Sequence, residues 1–219
     1  MHNASQTEIS ELILELSRHL HQRHLLAAAD GNLSYRFSDQ EIVITPSGKN
    51  KSRLKPEDLA WMNLKGEILA GQPSSERLMH LEIYRKVPEA RAIVHAHPPT
   101  AIAWSLARPD LRELPTEALP EVILAAGKIP VVPYARPGTL EMGTRILPFL
   151  PDCRLLILAR HGAVCWGDSL EEAANGIERL EQVAMILKIA DELGGTVPLP
   201  YGELRALKEL RKQIGPRII

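Results

Sequence analysis

Apolar residues in this chain recur at two different periods, and the order in which those periods alternate restricts the fold more than any other feature. Over residues 5–24, Ile9, Leu12, Ile13, Leu16 and Leu20 return at helical spacing with charged residues between them. Residues 32–37 then alternate like a strand, Ser38-Asp39-Gln40 makes a turn, and 41–45 returns, so the pattern predicts a hairpin. Residues 59–63 and 67–69 around Lys65-Gly66 predict a second hairpin. A helix over 76–86 follows Pro73-Ser74-Ser75, with a serine as the expected N-cap. Residues 92–97 read as a short strand, 100–107 as a helix behind Pro98-Pro99, 129–132 as a brief strand, and 138–150 as a helix. The strongly apolar strand 154–159 is turned by His161-Gly162 and pairs back through 163–166. Ser169 with Glu172 three residues on forms a capping box that opens a long amphipathic helix to about residue 193. Helices interspersed with hairpins call for an α/β fold with a central, mainly antiparallel sheet covered by helices. No G-x-G-x-x-G follows any strand, which excludes a doubly wound nucleotide-binding pattern.

Charge and composition remove several classes of function. Twenty-six Lys and Arg against 27 Asp and Glu leave a net charge of −1, too little basic excess for a nucleic-acid binder. Aromatic residues make up only 4%, so base-stacking platforms are not expected either. The longest apolar runs reach about six residues, against roughly 20 needed to cross a bilayer, so no membrane partner is expected. The polar start, residues 1–11, does not read as a secretory signal. Cys153 and Cys165 are too few for a disulfide framework and neither has an activating neighbour in sequence, which points to a reducing, cytoplasmic setting. The 219 residues contain no repeat, low-complexity tract or clear boundary, so one domain over 1–219 is expected.

His95 and His97 are the most informative residues. Two positions apart on a strand, they project to the same face and form a two-point grip for a metal such as zinc. The plain alternative is a pair of exposed histidines, and His161, at a glycine-assisted turn after an apolar strand, is the candidate third ligand. His19, His21 and His24 near the end of the first helix, the terminal His2, and His80 on a helix face read as structural or solvated. Glu76 stands where negative charge favours a helix start, which by itself explains it; the functional alternative is a metal contact or general base. Asn32 beside Asp30-Gly31, Ser47-Gly48 and Ser74-Ser75 are small donors able to cradle an anion, though each alone is ordinary turn or cap chemistry. Lys49 and Lys51, read as long exposed side chains, would add only a screened attraction, so phosphate recognition without a Lys or Arg clamp is expected.

Five segments, taken in order, resemble the class II aldolase and adducin-head family, in particular its fuculose-1-phosphate aldolase branch. They are Ala29-Asp30-Gly31-Asn32-Leu33-Ser34, Ile44-Thr45-Pro46-Ser47-Gly48, Pro73-Ser74-Ser75-Glu76, Val94-His95-Ala96-His97 and Arg160-His161-Gly162, and the match spans about residues 8–193. The resemblance implies a three-layer αβα sandwich and a cyclic homotetramer with active sites at subunit boundaries. It implies His95, His97 and His161 as zinc ligands, Glu76 as catalytic base, and Asn32, Ser47, Gly48, Ser74 and Ser75 as phosphate-binding residues. The implied activity is retro-aldol cleavage of a small ketose 1-phosphate to dihydroxyacetone phosphate and an aldehyde. Two departures stand out: Glu121 occupies the place of a catalytic tyrosine ahead of Ala125-Ala126-Gly127, and Ile214 lies near the place of a C-terminal tyrosine. Glu121 reads equally as an acid replacing that tyrosine or as a surface residue. Sugar-phosphate epimerase, methylthioribulose-1-phosphate dehydratase and a non-catalytic adducin-like module are the alternatives on the same scaffold.

Overall fold

The computed structural model of the protein describes residues 5–215. His2 therefore lies outside the described residues. Seven helices, α1 (Gln6–Gln22), α2 (Arg77–Lys86), α3 (Pro99–Ala107), α4 (Pro120–Ala125), α5 (Leu140–Ile146), α6 (Leu170–Glu192) and α7 (Tyr201–Ile214), accompany eight strands among these residues. The strands are β1 (Asn32–Ser38), β2 (Glu41–Ile44), β3 (Ala60–Met62), β4 (Ile68–Ala70), β5 (Ala92–Ala96), β6 (Val131–Val132), β7 (Leu155–Leu158) and β8 (Gly162–Gly167). They form one sheet in the order β4-β3-β2-β1-β5-β8-β7-β6.

The sheet is mixed: the antiparallel expectation holds for every pairing but the one at its β6 edge. The pairs from β4 across to β7 are antiparallel, but β6 joins β7 in parallel. The chain leaves β6, passes through α5 and returns in β7, and a crossover of that kind delivers the next strand in the same direction. A period-2 pattern alone does not encode this direction.

Strand alternation divides the interior into two cores, one on each face. Leu33, Val43, Val94, Ile157 and Cys165 pack with residues of α1, α3 and α6. Ile42, Ile44, Ile93, Leu156, Leu158, Val164 and Trp166 pack with residues of α2 and α5. Helices thus cover both faces. The parity of β5 decides where the chemistry lies, because His95 follows Val94 on the face of Ile93 and α2.

Local signals set the helix starts with some changes. Ser5 caps α1 in a full capping box with Glu8. Ser169 caps α6 by accepting the Glu172 N–H, but the Glu172 carboxylate accepts from the Asp168 N–H and from Arg154 rather than completing the box. The N-cap of α2 is Glu76 itself, not a serine; Ser74 Oγ accepts the Glu76 N–H. No helix among the described residues is long and apolar enough to cross a membrane.

Candidate active site

Three loops and one strand end converge at the edge of the α2 face. Asn32 opens β1 and is register partner to His95 of β5, which in turn faces Val164 of β8. His97 lies just past β5, its N–H held by Leu25 O at 2.8 Å. His161 sits in the turn between β7 and β8, where Arg160 takes a left-handed φ of 62° and the His161 N–H returns to Leu158 O. Gly162 is required beside them: a Cβ there would stand 2.6 Å from Ala96 O and 2.8 Å from ring carbons of both His95 and His97.

The three imidazoles are mutual neighbours, with ring centroids 4.9–5.0 Å apart. One nitrogen from each lies within 4.8 Å of the others. His95, fully buried, places Nδ1 2.8 Å from Ala163 O; an N–H there donates to that carbonyl and leaves Nε2 facing the group. His97 Nε2 is 3.1 Å from His95 Nε2, close to the roughly 3.3 Å that separates ligands on a tetrahedral zinc with bonds of about 2.0–2.1 Å. The donor set therefore fits a divalent cation. Burial pushes His97 down to about 3, with the neighbouring imidazoles adding to it, so it is neutral, the form that can ligate a metal.

Glu76 reaches the same point from the start of α2. Its Oε1 is 2.8 Å from His161 Nε2 and its Oε2 is 3.1 Å from His95 Nε2. Burial works to raise its pKa, but the imidazoles of His95 and His161 outweigh burial and hold the carboxyl well below the usual range. Burial likewise opposes charge on His95, and the Glu76 carboxylate reverses that and raises it. Asn32 Nδ2 donates to Glu76 Oε2 at 2.8 Å, and Asn32 Oδ1 accepts from His80 Nε2. His80 in turn meets Ser34 Oγ at 2.7 Å, and Ser34 meets the Tyr84 hydroxyl at 2.8 Å.

This polar chain bears on two expectations. Of the two readings of His80, structural or solvated, the structural one holds: it is buried, pushed down to about 3 by that burial, and bonded at both nitrogens. The sequence signal was available, since Glu76 and His80 are four apart and share one helix side, among the apolar Met79, Leu81 and Ile83. Asn32, expected as a phosphate donor, lines the cavity but directs one Nδ2 hydrogen to Glu76 and its Oδ1 to His80.

A cavity of about 300 Å³ opens beside Glu76, His97 and His161, and Ser47, Gly48, Ser74, Ser75 and Asn32 line it. Loops 46–48 and 73–75 run side by side through a Pro46–Pro73 bridge, with the Ser47 N–H on Gln72 O and the Ser74 N–H on Thr45 O. The Ser47 N–H is therefore not available to an anion. Gly48, at φ 69°, faces open space. Lys51 overturns the expectation of an exposed side chain: it is 1% exposed and lines the cavity, whereas Lys49 is exposed and paired to Asp58. Glu121 stands elsewhere, exposed on α4 in a groove with Arg23, Glu178 and Arg179. Both cysteines are free, and burial pushes both thiols up, outweighing Lys128 and Arg211 near Cys153 and Arg154 near Cys165.

Three imidazoles able to hold a divalent cation, a carboxylate in contact with two of them and an adjoining cavity define a class of site rather than a single reaction. The chain belongs to the class II aldolase and adducin N-terminal domain family, whose model matches residues 11–187. It is 33% identical over 212 residues to a 3-oxo-tetronate 4-phosphate decarboxylase of Escherichia coli K12, covering 94% of this chain and 96% of that protein. It is 37% identical over 167 residues to an L-fuculose phosphate aldolase of Methanococcus vannielii, covering 76% and 88%. Among solved structures, E. coli YgbL, described as a putative aldolase/epimerase/decarboxylase, superposes with a TM-score of 0.86 at 32% identity over 93% of this chain and 99% of that one.

Proposed function

We propose that this chain is a zinc-dependent lyase that breaks a carbon–carbon bond beside the ketone of a small phosphorylated substrate, with 3-oxo-tetronate 4-phosphate as the first candidate. The observation that carries the reading is the position of Glu76, which touches two of the three imidazoles and faces the cavity. The relatives named as decarboxylases, similar over nearly the whole chain, support the choice of substrate. A divalent cation held by His95, His97 and His161 would supply Lewis-acid stabilisation of negative charge on oxygen next to the reacting carbon.

The chain's own residues handle the rest. Gly48, Ser74 and Ser75 grip the phosphate on C4 with backbone and hydroxyl donors, which orients the keto acid along the cavity. Departure of carbon dioxide breaks the C1–C2 bond and leaves the electron pair on C2, conjugated with the C3 carbonyl. Glu76, once protonated, delivers that proton to C2, completing dihydroxyacetone phosphate, and regains one from water. Asn32, fixed by His80, orients the carboxylate for this transfer. The leaving carbon dioxide carries no proton to be removed, so one acid–base group suffices.

Aldol cleavage of a ketose 1-phosphate is the second reading. It needs a further base for the hydroxyl of the aldehyde fragment; Glu121, exposed on α4, would be that base for a neighbouring copy in a homotetramer with sites between subunits. Purified protein with a measured zinc content is incubated with 3-oxo-tetronate 4-phosphate, L-fuculose 1-phosphate and methylthioribulose 1-phosphate, and carbon dioxide and dihydroxyacetone phosphate are quantified. Equal amounts of both products from the first substrate are expected, with Glu121→Gln retaining that rate. Dihydroxyacetone phosphate from L-fuculose 1-phosphate alone transfers the assignment to aldol cleavage, and turnover of none of the three overturns both readings.

A further inference from the structure

The cavity beside the histidines is lined by two carboxylates, Asp30 and Glu76, and among the described residues that line it Lys51 is the one Lys or Arg. A phosphate entering here would meet acidic side chains and neutral serines were it not for that ammonium. Lys51 follows the Ser47-Gly48 loop, yet its side chain turns inward and is buried. The Nζ donates to Ala29 O at 2.7 Å, Lys49 O at 3.0 Å and Pro46 O at 3.2 Å, so its three hydrogens are spent on carbonyls of two cavity loops. Such a charge cannot swing out to clamp an anion, but neither can it be screened away by salt as a surface lysine is.

We infer that Lys51 sets the charge preference of the cavity, acting as a fixed cation that favours a phosphorylated ligand over its unphosphorylated counterpart while fastening the two loops that receive it. This rests on the phosphate reading of the cavity given above. Burial pushes the ammonium down to about 8, against the attraction of Asp30 and Glu76, so at neutral pH the charge is present. A phosphate dianion about 6 Å away, across a solvent-filled cavity of effective dielectric about 40–80, gains the equivalent of a roughly 10- to 100-fold affinity from one such charge. Lys51 is therefore a positioning and selectivity residue rather than a contact residue.

The experiment measures binding of phosphoglycolohydroxamate and of glycolohydroxamate, which lacks the phosphate, by calorimetry at two salt concentrations. Wild type, Lys51→Met, Lys51→Arg and Lys49→Ala are compared. Lys51→Met is expected to lose about 10- to 100-fold for the phosphorylated ligand and less than about threefold for the other, with little dependence on salt. Lys51→Arg should recover part of the preference and Lys49→Ala should leave it unchanged. Equal losses for both ligands would reduce Lys51 to a loop fastener and overturn the inference, as would a preference that survives in Lys51→Met. If wild type itself shows no preference, it is the phosphate reading of the cavity that fails. Should Lys51→Met not fold, Lys51→Gln, which still donates to the loop carbonyls, carries the same comparison.

Discussion

Replacing Gly162 by Ala tests whether the imidazole group is held as tightly as its geometry implies. The added methyl carbon would lie 2.8 Å from His95 Cε1 and 2.8 Å from His97 Cδ2, about 0.7 Å inside the roughly 3.5 Å at which carbon atoms rest in contact. It would also stand 2.6 Å from Ala96 O, so the strain falls on the β5 backbone as well as on the rings. His95 has no room to retreat, being fully buried and tied to Ala163 O. Overpacking of this kind costs about 1–3 kcal/mol. A ring displacement of roughly 0.7 Å exceeds the tolerance of about 0.5 Å for a preorganised site, so zinc affinity should fall about 10- to 100-fold. Competition with a chromophoric chelator reads the affinity, and urea unfolding of metal-free protein reads the stability. Gly202→Ala in α7, where an added Cβ meets nothing within 4 Å, is the control and should change neither in the unfavourable direction. Zinc affinity within twofold of wild type in Gly162→Ala would refute the argument that the glycine is what permits the rings to converge.

Three further outcomes are expected. Glu76→Gln should keep its zinc, because the three imidazoles remain, while turnover drops about 10²–10⁴-fold; metal analysis beside a steady-state assay separates the two, and wild-type turnover would leave Glu76 a helix-start residue only. Arg154 is buried, pairs with Asp168 at 3.1 Å and Glu172 at 2.7 Å, and stacks 4.4 Å from the Trp166 ring centre, so Arg154→Met should cost about 3–5 kcal/mol; a change below about 1 kcal/mol on urea unfolding would contradict it. Lys51 has its pKa lowered from 10.5 to about 8, so between those values the unfolded chain holds a proton that the folded chain does not. Stability of wild type relative to Lys51→Met should therefore rise with pH across that window and be lowest below pH 8; a difference flat with pH would show the lysine titrating normally.

The sequence made the histidine group legible because strand alternation is a strict rule: once 92–97 reads as a strand, His95 and His97 must share a face. The hairpins and the long helix behind Ser169 were legible for the same reason, each pairing a clear period with local turn or cap residues. What escaped depends on contacts between distant segments. Lys51 looks like any surface lysine until two loops, residues 29 and 46–49, turn three carbonyls toward it. Asn32 looks like an isolated loop residue until β1 sets it against β5, Glu76 and His80. Helix α7 was legible and passed over: Leu204, Leu207, Leu210 and Ile214 recur at helical spacing, although only Leu207 of its fourteen residues is buried. The parallel edge strand β6 is two residues long, below the length at which any pattern declares a direction.

The row formed by Asn32, His95 and Val164 across three adjacent strands has a consequence for how such a site can diverge. Two of the three imidazoles and the Asn32 orienting amide are fixed at one end of a rigid sheet, where a single-residue slip would send every side chain to the opposite core. The groups that would meet the far parts of a substrate, residues 47–48, 74–75 and 137, sit instead on loops, which accept substitution and changes of length at little thermodynamic cost. Evolution can therefore exchange the substrate without rebuilding the part that handles charge. A lineage on this scaffold would be expected to keep its cation-binding residues while its reactions drift apart, and transplanting the loops between relatives should carry substrate preference with them while leaving metal affinity behind.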